Sequence, residues 1–123
     1  MNKPNLNYDE LSDTLYISFA PGEKATGIEL NDSILLRVNK QEQRAVGITI
    51  FNYSYLAQKT PTGFRSLPLT GLDELSPALR ELALDILTQP PVSEFLMVST
   101  YTPSLTENIP ITLLQQQAFA LAS

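Results

Sequence analysis

Leu15, Ile17 and Phe19 alternate with Tyr16 and Ser18, directly after the polar stretch Asp9-Glu10-Leu11-Ser12-Asp13. A period of two over this length is the pattern of a half-buried strand, and a helix would spread the same apolar residues around its axis. The pattern then repeats. A short first strand over residues 4–9 places Leu6 and Tyr8 on one face, and a second runs from Thr14 to Phe19 and stops at Pro21-Gly22. A third follows near Ala25 to Leu30. Asn31-Asp32 supplies a hairpin turn expected to use positive φ angles. A fourth strand covers Ser33 to Val38, and a fifth covers Ala45 to Phe51 after the polar loop Asn39 to Gln43. Turn signals at intervals of roughly ten residues indicate consecutive antiparallel strands.

Leu35, Phe51 and Tyr53 fall opposite the main apolar face, so a cover over one face is required. The second half provides a helix for it. Ser76 suits its N-cap and Pro77 its first turn. Leu79, Leu82, Ala83, Ile86 and Leu87 then form one stripe, and Pro90-Pro91 ends it. Residues 71–75 are expected to add a turn at its start, and residues 52–58 a separate helical turn. Ser93 to Thr102 reads as a further strand stopped by Pro103-Ser104. Ile109 to Leu114 reads as an edge strand, because Pro110 removes a ladder donor. Gly47 marks a bulge or a close backbone approach. The expected class is α+β: an antiparallel meander of about five strands packed by one main helix, with one or two further C-terminal strands. Residues 1–123 are read as one domain, with the meander in 1–55, a connector in 56–70, a helix-strand extension in 71–114 and a tail in 115–123.

Composition narrows the chemistry. The chain has 123 residues, 43% hydrophobic and 17% charged, which suits a packed domain. It contains neither cysteine nor histidine. Disulfides, thiolate nucleophiles, Cys/His zinc sites and a Ser-His-Asp triad are therefore excluded within this chain. No Gly-rich loop opens onto a helix, so phosphate-cradling motifs are missing as well. Net charge is −5, and the eight basic residues are scattered. Arg37, Lys40 and Arg44 fall near one hairpin, where they read as solubilising charges. Nucleic-acid binding, which needs a basic stripe, is not expected. No apolar run is long enough to cross a bilayer, and the polar start Met1-Asn2-Lys3-Pro4-Asn5 has no signal-peptide core. A cytoplasmic protein without a membrane role is expected.

Several pieces of the first half carry a resemblance: Tyr8-Asp9, Asp13-Thr14-Leu15-Tyr16-Ile17, Gly27-Ile28-Glu29-Leu30, Ile34-Leu35-Leu36, and Val46-Gly47-Ile48-Thr49-Ile50-Phe51-Asn52. As a set, residues 8–53 resemble a small bacterial family of unknown function. The resemblance implies a small antiparallel sheet with a short following helix, and it brings no activity, cofactor or catalytic residue. Toxin-like neighbours of some members imply an antitoxin-like partner role. This chain departs from the pattern by its long C-terminal extension.

Asp9, Glu10 and Asp13 form the densest acidic group. One reading makes them ligands of Ca²⁺ or Mg²⁺, or an acid/base pair in a metal-dependent hydrolase. The favoured reading has Asp9 and Asp13 bonding backbone amides and fixing the turn, since the calcium-loop spacing is absent. No cofactor and no metal are expected. The leading functional expectation is a non-enzymatic binding module that associates with itself or with a protein partner. Its contacts would lie on the edge of the second-half sheet and the tail, drawing on Tyr8, Tyr16, Tyr101, Leu113, Leu114 and Phe119. An acidic, antitoxin-like partner of a small basic protein is the alternative.

Overall fold

A computed structural model of the chain describes residues 4–57, 59–60, 63–64, 67–104 and 107–114. Five strands open the fold: β1 (Asn5–Asp9), β2 (Thr14–Ser18), β3 (Thr26–Glu29), β4 (Ile34–Asn39) and β5 (Arg44–Phe51). They form one antiparallel sheet in the order β1-β2-β5-β4-β3. The longest strand, β5, lies in the middle, with six consecutive buried residues from Ala45 to Ile50. A short helix α1 (Tyr53–Leu56) follows it. The two-residue strands β6 (Lys59–Thr60) and β7 (Gly63–Phe64) pair with each other. Next come β8 (Leu67–Pro68), a 3₁₀ turn (Thr70–Glu74) and the main helix α2 (Pro77–Leu87). A second 3₁₀ turn (Val92–Glu94) leads into β9 (Leu96–Ser104) and β10 (Glu107–Leu114). The architecture is α+β, as the alternation and the helical stripe predict.

Strand register decides which side chains meet. Across the sheet, Leu15 pairs with Ile50 and Ile50 with Ile34; Ile17 pairs with Ile48 and Ile48 with Leu36. Opposed residues of an antiparallel pair share a face, so these rows make one apolar layer. Leu69, Leu72, Ala83, Ile86, Leu87, Val92, Phe95, Leu96 and Leu114 from the second half join the same buried cluster. Burying each large aliphatic side chain contributes about 1.5–3 kcal/mol, and both halves supply them.

α2 starts where the sequence predicts. Ser76 is extended, as the residue before a proline must be, and its hydroxyl accepts from the Leu79 amide at 3.3 Å. Ala83, Ile86 and Leu87 are buried while Glu81 and Asp85 face water. The helix ends at Leu87, before the prolines. Thr88 caps it, with its hydroxyl donating to the carbonyls of Leu84 and Asp85.

Four expectations need correction. Residues 71–75 do not extend α2, because the 3₁₀ turn closes at Glu74 and Leu75 is extended. Neither Asn31 nor Asp32 takes a positive φ. Instead, the Asn31 side chain accepts from the amides of Ser33 and Ile34 at 2.8 and 2.9 Å, which closes the hairpin as an Asx turn. Pro103-Ser104 does not stop the strand: β9 runs to Ser104, with Pro103 in an irregular stretch where the register with β10 shifts. Finally, β10 is not an edge. It lies between β8 and β9, and the Pro110 carbonyl accepts from the Leu69 amide at 2.9 Å. Proline deprives a strand of a donor but leaves the acceptor in use.

Candidate interaction surface

The turn between β1 and β2 is built around two aspartates. Asp9 accepts from the Leu11 amide at 3.1 Å and from the Ser12 hydroxyl at 2.9 Å. Asp13 takes a positive φ of 52°, which a short polar residue tolerates best. Its carboxylate accepts from the Tyr8 hydroxyl at 2.6 Å, the Ser54 amide at 3.0 Å and the Ser54 hydroxyl at 2.7 Å. Its carbonyl accepts from the Tyr53 amide at 3.0 Å. Asp13 thus ties the hairpin to the start of α1. Hydrogen bonds from Tyr8 and Ser54 hold its carboxyl below the usual aspartate range, and the same contact pushes the Tyr8 hydroxyl up to about 12.

Asp9 and Asp13 therefore play the turn-fixing role. Glu10 is exposed beside them, and among the described residues no three acidic side chains gather as a cation would require. Ser54 is a partner that the sequence hides, because it lies 41 positions from Asp13.

The face of the five-stranded sheet opposite the core carries the rows Asn7-Tyr16-Thr49-Leu35-Glu29 and Asn5-Ser18-Gly47-Arg37-Gly27. Thr49 is buried between its neighbours, while Tyr16 is 43% and Phe51 39% exposed. The two glycines flatten this surface. A Cβ at Gly27 would meet Leu35 Cδ1 at 3.2 Å, and one at Gly47 would lie 2.7 Å from the Ile17 carbonyl oxygen and 3.5 Å from Arg37 Nη1. Leu35 and Arg37 consequently lie low across the sheet. Close backbone approach is the role predicted for Gly47, and a register shift follows directly at Arg37/Val38. Leu11 is fully exposed at the hairpin tip, and Tyr8 (41%) packs on Tyr53 with ring centroids 5.6 Å apart.

The other residues expected at an interface fall elsewhere. Leu114 is 1% exposed and docks in its own core. Tyr101 lies on β9 opposite Ile109, and Leu113 on β10 opposite Met97. Phe119 lies outside the described residues. A cleft of about 320 Å³ between β3 and the first 3₁₀ turn is lined by Glu29, Asp32 and Glu74 together with Gly71 and Leu75. On the far hairpin, Arg44 forms ion pairs with Glu23 and Glu42, and both carboxylates raise its already high pKa.

Residues 5–54 match the model of a family described as a protein of unknown function (DUF2283). The match covers β1 to β5 and the start of α1, under half of the chain. It includes Asp9, Asp13, Tyr16 and Phe51, and it closes on Ser54, the residue that clamps Asp13. No curated protein and no solved structure matches the chain. Among the described residues, no helix is long and apolar enough to cross a membrane.

Proposed function

We propose that this chain is a non-enzymatic, cytoplasmic protein-interaction module that associates with itself. One observation carries the reading: the five-stranded sheet buries one face under the second half and presents Tyr16, Leu35 and Phe51 on the other, beside the fully exposed Leu11. Aromatic side chains grouped on an exposed sheet face are the composition of a contact surface. The lack of histidine and cysteine supports a binding role over a catalytic one, and the carboxylates of Asp9 and Asp13 are both engaged in holding the turn. Sedimentation velocity of the purified chain at rising concentration tests the reading. A concentration-dependent shift from monomer to dimer is expected; a chain that stays monomeric up to high micromolar concentration defeats it.

A second reading rests on the acidic cleft of Glu29, Asp32 and Glu74 and on the net charge of −5. These features suit a small basic partner held by charge complementarity, in the manner of an antitoxin. Co-purification with the product of a neighbouring short basic reading frame, released by high salt, would decide for it.

A further inference from the structure

We infer that two copies join by antiparallel pairing of their β1 strands about a twofold axis at Asn7, fusing two five-stranded sheets into one. This rests on the self-association proposed above and seats it on the edge of the sheet, not on the exposed face. Of the two edges of the main sheet, one is covered at its end by the second half. Along β3, the Gly71 amide donates to the Leu30 carbonyl at 2.8 Å, the Asn31 side chain reaches the Pro68 carbonyl at 3.2 Å, and Gly71 sits so close that a Cβ would fall 1.8 Å from the Glu29 carbonyl oxygen. β1 forms the opposite edge and pairs only with β2 among the described residues. Its outward amides and carbonyls are a template for another strand.

Most of the usual protections of an edge are missing from β1, whose one charge is Asp9 at its end. Between Asn5 and Asp9 there is no proline, no lysine, no glycine and no register shift. The edge of the small sheet is treated differently, since β9 contains Pro103 and an irregular register. The edge of the second-half sheet, where the sequence pattern places an interface, is therefore the poorer template.

The sequence of β1 points to a second copy as the occupant. Asn5-Leu6-Asn7-Tyr8-Asp9 reads polar-apolar-polar-apolar-polar from either end. Pairing about Asn7 uses the whole strand and sets Leu6 opposite the other copy's Tyr8, on the face that continues the core layer of Leu15 and Ile17. Asn5 meets the other copy's Asp9, so the one charge of the strand never faces itself. Asn7 meets its own counterpart on the exposed face.

Charge reversal across the axis tests this geometry. Asn7→Lys and Asn7→Asp each place like charges face to face, and each is expected to sediment as the 13.6 kDa monomer at concentrations where the parent chain is dimeric. Mixed in equal amounts, the two variants should recover a dimer. Circular dichroism and the unfolding midpoint report whether either variant is misfolded. If one is, Asn7→Cys in this cysteine-free chain replaces it: oxidation should yield a disulfide-linked dimer, and Asp32→Cys should not. A parent dimer that tolerates both charges, or a pair of variants that dissociates without mutual rescue, overturns β1 pairing and leaves self-association standing. A parent chain that is monomeric throughout removes both.

Discussion

The Tyr8 hydroxyl donates to the Asp13 carboxylate at 2.6 Å, which joins the end of β1 to the turn residue just before β2. Asp13 has a positive φ and also accepts twice from Ser54. Two properties are therefore needed at this position: tolerance of left-handed backbone and acceptor oxygens on a short side chain. Asparagine supplies the first and part of the second, whereas alanine supplies neither. Urea unfolding is expected to rank the parent chain above Asp13→Asn, and Asp13→Asn above Asp13→Ala. Equal midpoints for the two variants would show that neither backbone tolerance nor the acceptor oxygen that asparagine retains contributes here.

The same pair predicts a pH response with a definite sign. Asp13 titrates below its ordinary 3.8, held down by hydrogen bonds from Tyr8 and Ser54, so its contribution is complete above pH 3.8 and is lost as pH falls through the lowered value. Tyr8 is pushed up from 10.0 to about 12 by its bond to Asp13. Its contribution is complete below pH 10.0 and is lost as pH rises through about 12. The stability difference between the parent chain and Asp13→Asn should thus be flat through neutral pH and shrink at both ends. Ultraviolet titration of the parent chain against Tyr8→Phe isolates the Tyr8 transition, expected near pH 12 and moving down in Asp13→Asn.

Local pattern revealed much of this. The alternation of Leu15, Ile17, Leu36, Ile48 and Ile50 determines the strands and puts these five side chains on one face, the one that the core buries. Ser76 and the stripe ending at Leu87 did the same for α2. What stayed hidden depends on distance along the chain. Ser54 clamps Asp13 across 41 residues, and Gly71 seals the β3 edge only because the second half folds back on it. β8 carries no signal in the sequence, since two residues show no period. The central position of β10 is not legible either, because Pro110 signals an edge while its carbonyl accepts from Leu69, 41 residues earlier.

Two glycines separate steric cost from backbone cost. Gly71 lies against the Glu29 carbonyl with no room for a methyl group, and the obstacle is backbone that cannot step aside. Gly71→Ala should push the first 3₁₀ turn off β3 and destabilise by about 3 kcal/mol, the upper range of overpacking. Gly22 has a φ of +80° but open space around it. Gly22→Ala should cost about 1 kcal/mol, from conformation alone. Chemical denaturation of both variants checks the order, and a Gly71→Ala chain as stable as Gly22→Ala would mean that the edge is not sealed there.

The family-matching segment should not fold by itself in this chain. Residues 5–54 supply one buried face, with Leu15, Ile17, Ile28, Ile34, Leu36, Ile48 and Ile50 pointing to a layer made by the second half. With that layer removed, these side chains meet water, and each exposed large aliphatic forfeits roughly 1.5–3 kcal/mol. Over these side chains that loss is as large as the total stability of an ordinary small domain, about 5–15 kcal/mol. A fragment of residues 1–57 is expected to show poorly dispersed amide resonances and no cooperative thermal transition. Adding a peptide of residues 67–114 should restore both, since Leu72, Ala83, Leu87, Val92, Leu96 and Leu114 cover the exposed face. A fragment that folds cooperatively alone would mean that its strands close on themselves in another way, and that the extension is an accessory to the sheet and not its cover.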